Sequence, residues 1–564
     1  MEGMFFMPNA FYKDLIVYQI WPRSFCDSNG DGIGDLGGII SKLDYIKDLG
    51  ANAIWFSPLY PSPNHDYGYD IADYMDISPD YGTLEEFKTL LNEAHSRGMK
   101  IIMDLVINHT SNEHKWFLES KKSKDNPYHD YYFWRDGKKG GKKPPNNWKS
   151  TFAGPGWSYD ENLNQWYLHL FADEQPDLNM DNPKVREEVK KIMRFWLDMG
   201  VDGFREDVIT FISKKEGLPN GFPIPVACGI EHYKKGPHLH EYLMEFKNDV
   251  LSHYDCFTVG EAPMMTPKLA LEFISEGKNQ TLDMMFHFQH MQADCMITDF
   301  IQRPFKLKKY KSAMSSWQTE LYGKGWNALY LENHDHPRII SRYGNDEKYR
   351  VESGKMLAVS YLCLGGTPFI YQGQEIGMTS IKLPEIEMYE DVSTKNVYKM
   401  ARSFGLSHER VMSLAKRASR DNARTPVQWD DGKNAGFTSV EKPWFHINPN
   451  YEQVNVANDR ENPDSIWSFY KKLISLRKAN PVFTYGNYKE YMKDSDDLYV
   501  YERCLDGKKL FVICSFTEKQ VIFEAPEGIE LNSGELLISN YKYPALSNNR
   551  FKTKPYEARV YLFG

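Results

Sequence analysis

The sequence predicts an α/β protein built on a (β/α)8 TIM barrel, with a small inserted domain after the third strand and a C-terminal antiparallel β-sandwich. Three observations predict it. About eight short apolar runs alternate with amphipathic stretches through the first two thirds of the 564 residues. One connection, 107–174, is rich in Gly, Pro, Lys, Asn and aromatics and shows no helical period, which makes it an inserted domain or a functional loop. Beyond about residue 480 the pattern changes to short β runs.

The elements follow in order. "LIVYQIW", "ANAIWFSPL" and "KIIMDLVINH" read as the first three strands. Between them "LGGIISKLDYIKDLG" and "TLEEFKTLLNEAHSRG" read as helices, each closed by glycine. After the insert, helical "KVREEVKKIMRFWLDMG" leads to strand "VDGFREDVI", and helical "HEYLMEFKNDVL" to strand "FTVGEAP". "DMMFHFQH", "NALYLENHD" and "TPFIYQGQE" complete the eight. The C-terminal runs are "LYVYERC", "KLFVICSF", "QVIFEAP" and "ARVYLFG". These readings divide the chain into a first barrel part (1–106), the insert (107–174), a second barrel part (175–480) and the sandwich (481–564).

Composition narrows the partners. The chain is globular, 41% hydrophobic, with a formal net charge of -9 that argues against nucleic acid. The 36 Tyr, 32 Phe and 13 Trp suit aromatic cores first and sugar-facing platforms second. "MEGMFFMPNAFYKD" lacks the basic start and long apolar run of a secretory signal, and no stretch is apolar enough for a membrane span. Cys26, Cys228, Cys256, Cys295, Cys363, Cys504 and Cys514 are odd in number and form no CxxC pair, so neither a disulfide framework nor a zinc site is expected. A cytoplasmic monomer acting on a small substrate, with no organic cofactor, is the natural expectation.

Functional residues of such barrels collect at the C-terminal ends of the strands. Asp104 and His109 end the third strand, Asp207 the fourth, Glu261 the fifth, and His334 and Asp335 the seventh. A lone acid on a rim is usually solvated or salt-bridged; acids converging from separate strands are another matter. Without a metal-ligand cluster or a phosphate-cradling loop, paired carboxylates suit glycoside cleavage. "DGFREDVI" then poses a choice between adjacent acids. A strand alternates its faces, so Arg205 and Asp207 share one side and Glu206 takes the other, though local spelling leaves open which side is the pocket.

The set "DLVINH", "GFREDVI", "TVGEA" and "ENHD", with "QPDLN" at 175–179, resembles the α-amylase family of glycoside hydrolases (family 13), in its oligo-1,6-glucosidase and α-glucosidase branch. The likeness runs from "YQIWPRSF" through "SRDNARTPVQWD" into the C-terminal strands. It implies that Asp207 is the nucleophile, Glu261 the general acid and base, and Asp335 the stabiliser of the distorted sugar. Arg205 would keep Asp207 ionised, and His109 and His334 would bond sugar hydroxyls. Asp66 and Arg424 would form a charged pair closing the pocket behind a terminal glucose. Tyr69 would stack on that sugar and Phe171 would form an apolar wall. Core packing is the competing role for either ring. Glu206 would pack behind the strand. In this branch valine after the nucleophile accompanies α-1,6 activity and alanine or threonine α-1,4; here it is Val208. The expected activity is a retaining exo-α-glucosidase releasing α-glucose from isomaltose and short isomalto-oligosaccharides.

"DSNGDGIGD" at 27–35 begins like an EF-hand loop, but its twelfth position is Gly38, so the bidentate glutamate is missing. The resemblance implies one structural Ca2+ held by Asp27, Asn29, Asp31, the Ile33 carbonyl and Asp35. Mg2+ is the other cation such oxygens accept, and a solvated Asx-rich turn is the alternative to both. His336, Met264 and His238 depart from the branch's spelling where the second sugar would lie, and Val427 replaces a methionine. Relatives that share the catalytic acids run other chemistry. α-1,4-Glucosidases are one such case. Sucrose isomerases carry an arginine-rich loop not evident in "FIQRPFKLKKYKSAMSSW", and trehalose-6-phosphate hydrolases need cations, for which Lys306, Lys308 and Lys309 are candidates. Non-catalytic transporter-associated proteins of this fold carry an anchor and have lost acids retained here.

Overall fold

Eight short strands close into one parallel barrel: β1 (Val17–Ile20), β2 (Ala53–Phe56), β3 (Lys100–Leu105), β4 (Gly203–Glu206), β5 (Phe257–Ala262), β6 (Met284–His287), β7 (Trp326–Leu329) and β8 (Thr367–Tyr371). The coordinates are a computed structural model that describes residues 10–296, 298–542 and 549–564. The first nine residues, where no secretory signal is expected, lie outside it. Strand order follows the chain, and the ring closes where Val17 of β1 pairs with Phe369 of β8. Seven strands fall within the apolar runs that predict them and β7 begins one residue before its run, at Trp326, because strands buried on both faces read as continuous apolar segments.

The strands end earlier than their sequence patterns suggest. β3 stops at Leu105 and β7 at Leu329, so His109, His334 and Asp335 stand on the loops that follow. Trp55, Phe286 and Phe369 fill the barrel interior, with ring centroids 4.6–6.2 Å apart. A side chain at Gly203 would meet the Phe257 carbonyl oxygen at 2.2 Å, so only glycine lets β4 lie this close to β5.

The connection after β3 holds a three-stranded antiparallel sheet of Trp134–Arg135, Trp157–Asp160 and Gln165–Leu168. It also holds a helix, Lys115–Ser120, where no helical period is visible. Six residues complete fewer than two turns, too few to repeat an apolar face.

At the C-terminal end, a five-stranded antiparallel sheet faces the two-stranded pair Ile522–Glu524 and Arg550–Lys552. Alternation does the assembly. Leu498, Val500, Phe511 and Ile513 point into the layer between the two sheets. Tyr499, Tyr501, Leu510 and Val512 point the other way and join the barrel's core. Among the described residues no helix is long and apolar enough to cross a membrane.

Candidate active site

Arg205 is the centre of one half of the site. It lies on β4 with Asp104 of β3 as its register partner, and its side chain is 1% exposed. The guanidinium stacks over Trp55, 5.1 Å from the ring centroid. Its Nη1 donates to Asp104 at 2.8 Å and to Asp207 at 2.6 Å, and its Nη2 pairs with Glu261 at 2.8 Å. One fork therefore holds carboxylates from three successive strand ends. Pulling one partner from such a buried cluster costs about 3–5 kcal/mol, because the charge left behind is uncompensated.

Burial pushes Asp207 above the usual carboxylate range; Arg205 opposes this, while Glu261, Asp104 and Asp335 reinforce it. Asp104 is pushed up to about 6, again chiefly by burial and against Arg205. Burial thus raises both Asp207 and Asp104 against the same guanidinium.

Glu206 faces away from this pocket. It is 1% exposed, one carboxylate oxygen has no hydrogen-bond partner, and burial with the nearby Asp283 pushes it up to about 8. After Asp207 the chain turns sharply. Val208 adopts φ 34°, ψ 38°, a left-handed conformation uncommon for a β-branched residue. The turn aims the Val208 amide at Glu261, 3.0 Å away, and tucks the side chain into an apolar group with Phe133, Phe211 and Tyr233. Strain of about 1–3 kcal/mol is held there by its surroundings.

A second arginine organises the other half, and it is Arg420. Its guanidinium donates to Asp66 at 2.8 Å, to Asp335 at 3.2 Å and to Asp391 at 2.7 Å. The charged pair expected between Asp66 and Arg424 is thus formed by Arg420. Arg424 donates instead to Asp335 at 3.0 Å and to the His334 carbonyl, and stacks on Trp21. Arg420 opens the short turn Arg420–Asn422, directly after the helix His408–Ala418, so it projects while Arg424 is fully buried. Burial raises Asp66 despite Arg420 and Arg424. Burial also pushes on Asp335, but His334, Arg420 and Arg424 outweigh it and hold Asp335 well below the usual range.

Tyr69 and His334 join the halves. The Tyr69 hydroxyl donates to Asp104 at 3.0 Å and meets His334 Nε2 at 2.6 Å, and the two rings stack at 4°. Tyr69 is thus a wall packed against His334. His334 Nε2 also reaches Asp335 at 3.2 Å, and Gln19 engages its Nδ1 at 2.8 Å. Burial lowers His334 and His109 to about 4, so both are neutral hydrogen-bonding groups at pH 7.

His109 Nε2 meets the Tyr69 carbonyl at 3.1 Å and Gln175 at 3.2 Å, and its ring lies 5.0 Å from that of Phe171. Phe171 packs in turn on Phe152, over which Arg420 lies at 4.7 Å. Sequence reasoning left Arg420, Asp391 and Gln175 without roles. Gln175 lies in the quoted "QPDLN" and Arg420 in "SRDNARTPVQWD", and an unassigned polar residue inside such a motif was the available signal.

Hydrogen bonds, ion pairs and ring contacts thus join all eleven residues expected to act on substrate into one group at the C-terminal end of the barrel. Residues 19–486 match the family described as "Alpha amylase, catalytic domain". The chain belongs to the alpha-amylase family. Its similar proteins include an oligo-1,6-glucosidase of Parageobacillus thermoglucosidasius, 51% identical over 98% of this chain and 99% of that one. A trehalose-6-phosphate hydrolase of Bacillus subtilis strain 168 is 43% identical over 98% of each. An isomaltulose synthase structure from Klebsiella sp. LX3 superposes with a TM-score of 0.95 at 40% identity, covering 98% of this chain and 99% of that one.

Of the residues that depart from the branch's spelling, His336 pairs through Nδ1 with Asp299 at 2.8 Å, and Met264 is 47% exposed. Both border a small cavity with Phe288 just beyond Glu261. His238, expected near the same rim, pairs with Glu241 at 3.0 Å on the helix it precedes.

The 27–35 loop offers only oxygen donors, the set that suits Ca2+ or Mg2+. Asp27 accepts from the Gly30 and Gly32 amides and the Thr438 hydroxyl. Asp31 accepts from the Ile33 amide, and Asn29 Oδ1 from the Asp31 amide. Asp35 caps the helix Leu36–Ser41 through the Gly38 amide and also holds Ser28 and Asn29. Among the described residues no three His, Cys, Asp or Glu side chains gather as a metal cluster, so neutral Asn29 and a main-chain carbonyl would have to complete the set.

Proposed function

We propose that this protein is a retaining, exo-acting α-glucosidase that hydrolyses terminal α-1,6-glucosidic bonds of isomaltose and short isomalto-oligosaccharides. The carrying observation is the Arg205 fork, which binds Asp207 and Glu261 side by side at the ends of β4 and β5. Retaining hydrolysis needs its two carboxyls close, about 5–5.5 Å apart, and a shared guanidinium keeps them near one another. Asp207 Oδ attacks the anomeric carbon as the C–O bond to the leaving sugar breaks, and Glu261, as general acid, delivers a proton to the departing oxygen. Glu261, now a carboxylate, takes a proton from water as that water displaces Asp207. Two displacements at one carbon release α-glucose.

Asp66, Arg420 and Gln175 close the space behind the ring, which supports cleavage from a chain end. Neutral His109 and His334 bond its hydroxyls, and Asp335, held ionised by its hydrogen bond with His334 and by Arg420 and Arg424, stabilises the positive charge that develops on the ring. Val208 supports the α-1,6 preference, as do the oligo-1,6-glucosidases among its similar proteins. We read the 27–35 loop as the seat of one structural Ca2+, held by Asp27, Asn29, Asp31, the Ile33 carbonyl and Asp35. Its hard oxygen donors support this. The seven free cysteines support work in a reducing cytoplasm, and we read the chain as a monomer.

Glucose release from isomaltose and maltose in parallel, with the product anomer followed by NMR, tests the reading. Faster isomaltose cleavage with α-glucose appearing first is expected. β-Glucose first would overturn retention, and faster maltose cleavage would overturn the linkage preference.

A further inference from the structure

Asp299 links the acceptor side of the site to a second cavity. One of its oxygens pairs with His336; the other takes Arg342 Nη2 at 2.9 Å. Arg342 borders a concavity of about 270 Å3 together with Arg303, Ser380, Lys382, Lys416 and Arg417. Five of these six side chains are cationic, and the lining contains one acid, Asp294. We propose that this cavity binds a phosphoryl group.

The charge balance supports an anion. Asp294 and Asp299 compensate Arg342, and Asp346 compensates Lys382 at 2.9 Å. Arg303, Lys416 and Arg417 have no carboxylate partner among the described residues; Arg303 reaches only the Met296 sulfur. Lys416 and Arg417 stand in the last turn of the helix His408–Ala418, where cations offset the carbonyl end of the helix. That role explains two of the three charges and leaves Arg303, from another element, converging on the same space.

Two donors buried in the residues of this lining are unpartnered. The Arg342 side chain is only 6% exposed, yet its Nη1 has no acceptor, and Ser380, 7% exposed, has a hydroxyl without a partner. Leaving such groups unpaired costs about 1–3 kcal/mol each. A guest that only accepts, with several oxygens and about two negative charges, compensates the three cations that lack a carboxylate partner. Phosphate has these properties, and a planar guanidinium matches its oxygens well. A single carboxylate would leave most of the positive charge uncompensated. Lys306, Lys308 and Lys309 are outside this lining; Lys308 pairs with Asp496 of the C-terminal region.

The phosphoryl group has two sources, free inorganic phosphate or a phosphorylated sugar. Thermal unfolding of the full chain is measured with inorganic phosphate and with glucose 6-phosphate, each against sodium chloride of equal ionic strength. The same series is run on a K416Q/R417Q variant, whose turnover of isomaltose or another α-glucoside serves as the check that it is folded. The expected result is a saturable rise in Tm of about 2 °C or more in the wild type, lost in the variant. Equal midpoints for the two ligands identify free phosphate as sufficient, and a midpoint at least tenfold lower for the sugar phosphate identifies a sugar substituent. No rise beyond the chloride control, or a rise kept in full by the variant, overturns the proposal. The readout is binding, so it stands or falls apart from the glucosidase reading.

Discussion

Asp66 and Arg420 lie 354 positions apart in the chain and 2.8 Å apart in the structure. Their pairing joins the loop after β2 to the turn after the helix His408–Ala418, and Phe152 of the insert covers it. Three regions of the sequence thus meet at the closed end of the sugar site. Arg420→Gln leaves Asp66 buried without its main cation. A fall in kcat/KM of about 2–5 kcal/mol is expected, with Tm also lowered. Steady-state kinetics on isomaltose check it; a change within twofold would show that Arg420 merely decorates the pocket.

Asp207→Asn removes the nucleophile but keeps the shape of the Arg205 cluster. Turnover is expected to drop by about 10^3-fold or more. Glu206→Gln, one residue earlier and on the opposite face of β4, is expected to retain most activity. Equal loss in both variants would mean that the strand's faces have been assigned the wrong way round.

Glu206 also makes a stability prediction. Its carboxyl is pushed from an ordinary 4.5 to about 8 in the folded chain. Below about pH 4.5 it is protonated whether folded or not, and it costs nothing. Between about 4.5 and 8 the unfolded chain releases that proton and the folded chain keeps it, so the folded state loses stability as pH rises. Above about 8 the loss is complete. Asp283, raised to about 6 by burial, acts in the same direction. Glu206→Gln cannot ionise, so its Tm should gain on the wild type across this window, by several degrees at the alkaline end. Melting curves at intervals from about pH 5 to 9 check it.

Val208→Thr and Val208→Ala test the linkage preference. A change of methyl scale in an apolar wall is worth about 1–3 kcal/mol. The ratio of isomaltose to maltose kcat/KM should therefore fall by about 10- to 200-fold, with turnover of a simple aryl α-glucoside little changed. An unaltered ratio would move the source of linkage preference to the acceptor side, where His336 and Met264 stand.

Removal of divalent cations by a chelator should lower Tm, and Ca2+ should restore it, with Asp31→Asn reducing the restored amount. Identical melting curves with chelator and with Ca2+ would leave the 27–35 loop as an Asx turn held by its own amides.

Much of the site was legible because each strand carries its acid near its own C-terminal end. Asp104, Asp207 and Glu261 are readable from "DLVINH", "GFREDVI" and "TVGEA", and the alternation of a strand separates Asp207 from Glu206. The helix Lys115–Ser120 was illegible because it is shorter than the repeat that would reveal it. The partner of Asp66 was illegible for a different reason. Arg420 and Arg424 stand four residues apart in one motif, and their spelling carries nothing about which one projects.

By itself, then, the sequence determined the eight-stranded period, the strand-end acids, the sandwich and the membership in the alpha-amylase family, since all of these rest on local patterns of polarity and spacing. The tertiary structure alone decided that Arg205 binds three acids at once, that Arg420 meets Asp66 while Arg424 turns to Asp335, and that Arg303 converges with Lys416 and Arg417. Those contacts join residues brought together by chain closure and packing, and their geometry depends on backbone direction at turns such as Val208 and Arg420–Asn422. A left-handed φ or a projecting side chain leaves no periodic mark in the sequence, because it is set by what surrounds it.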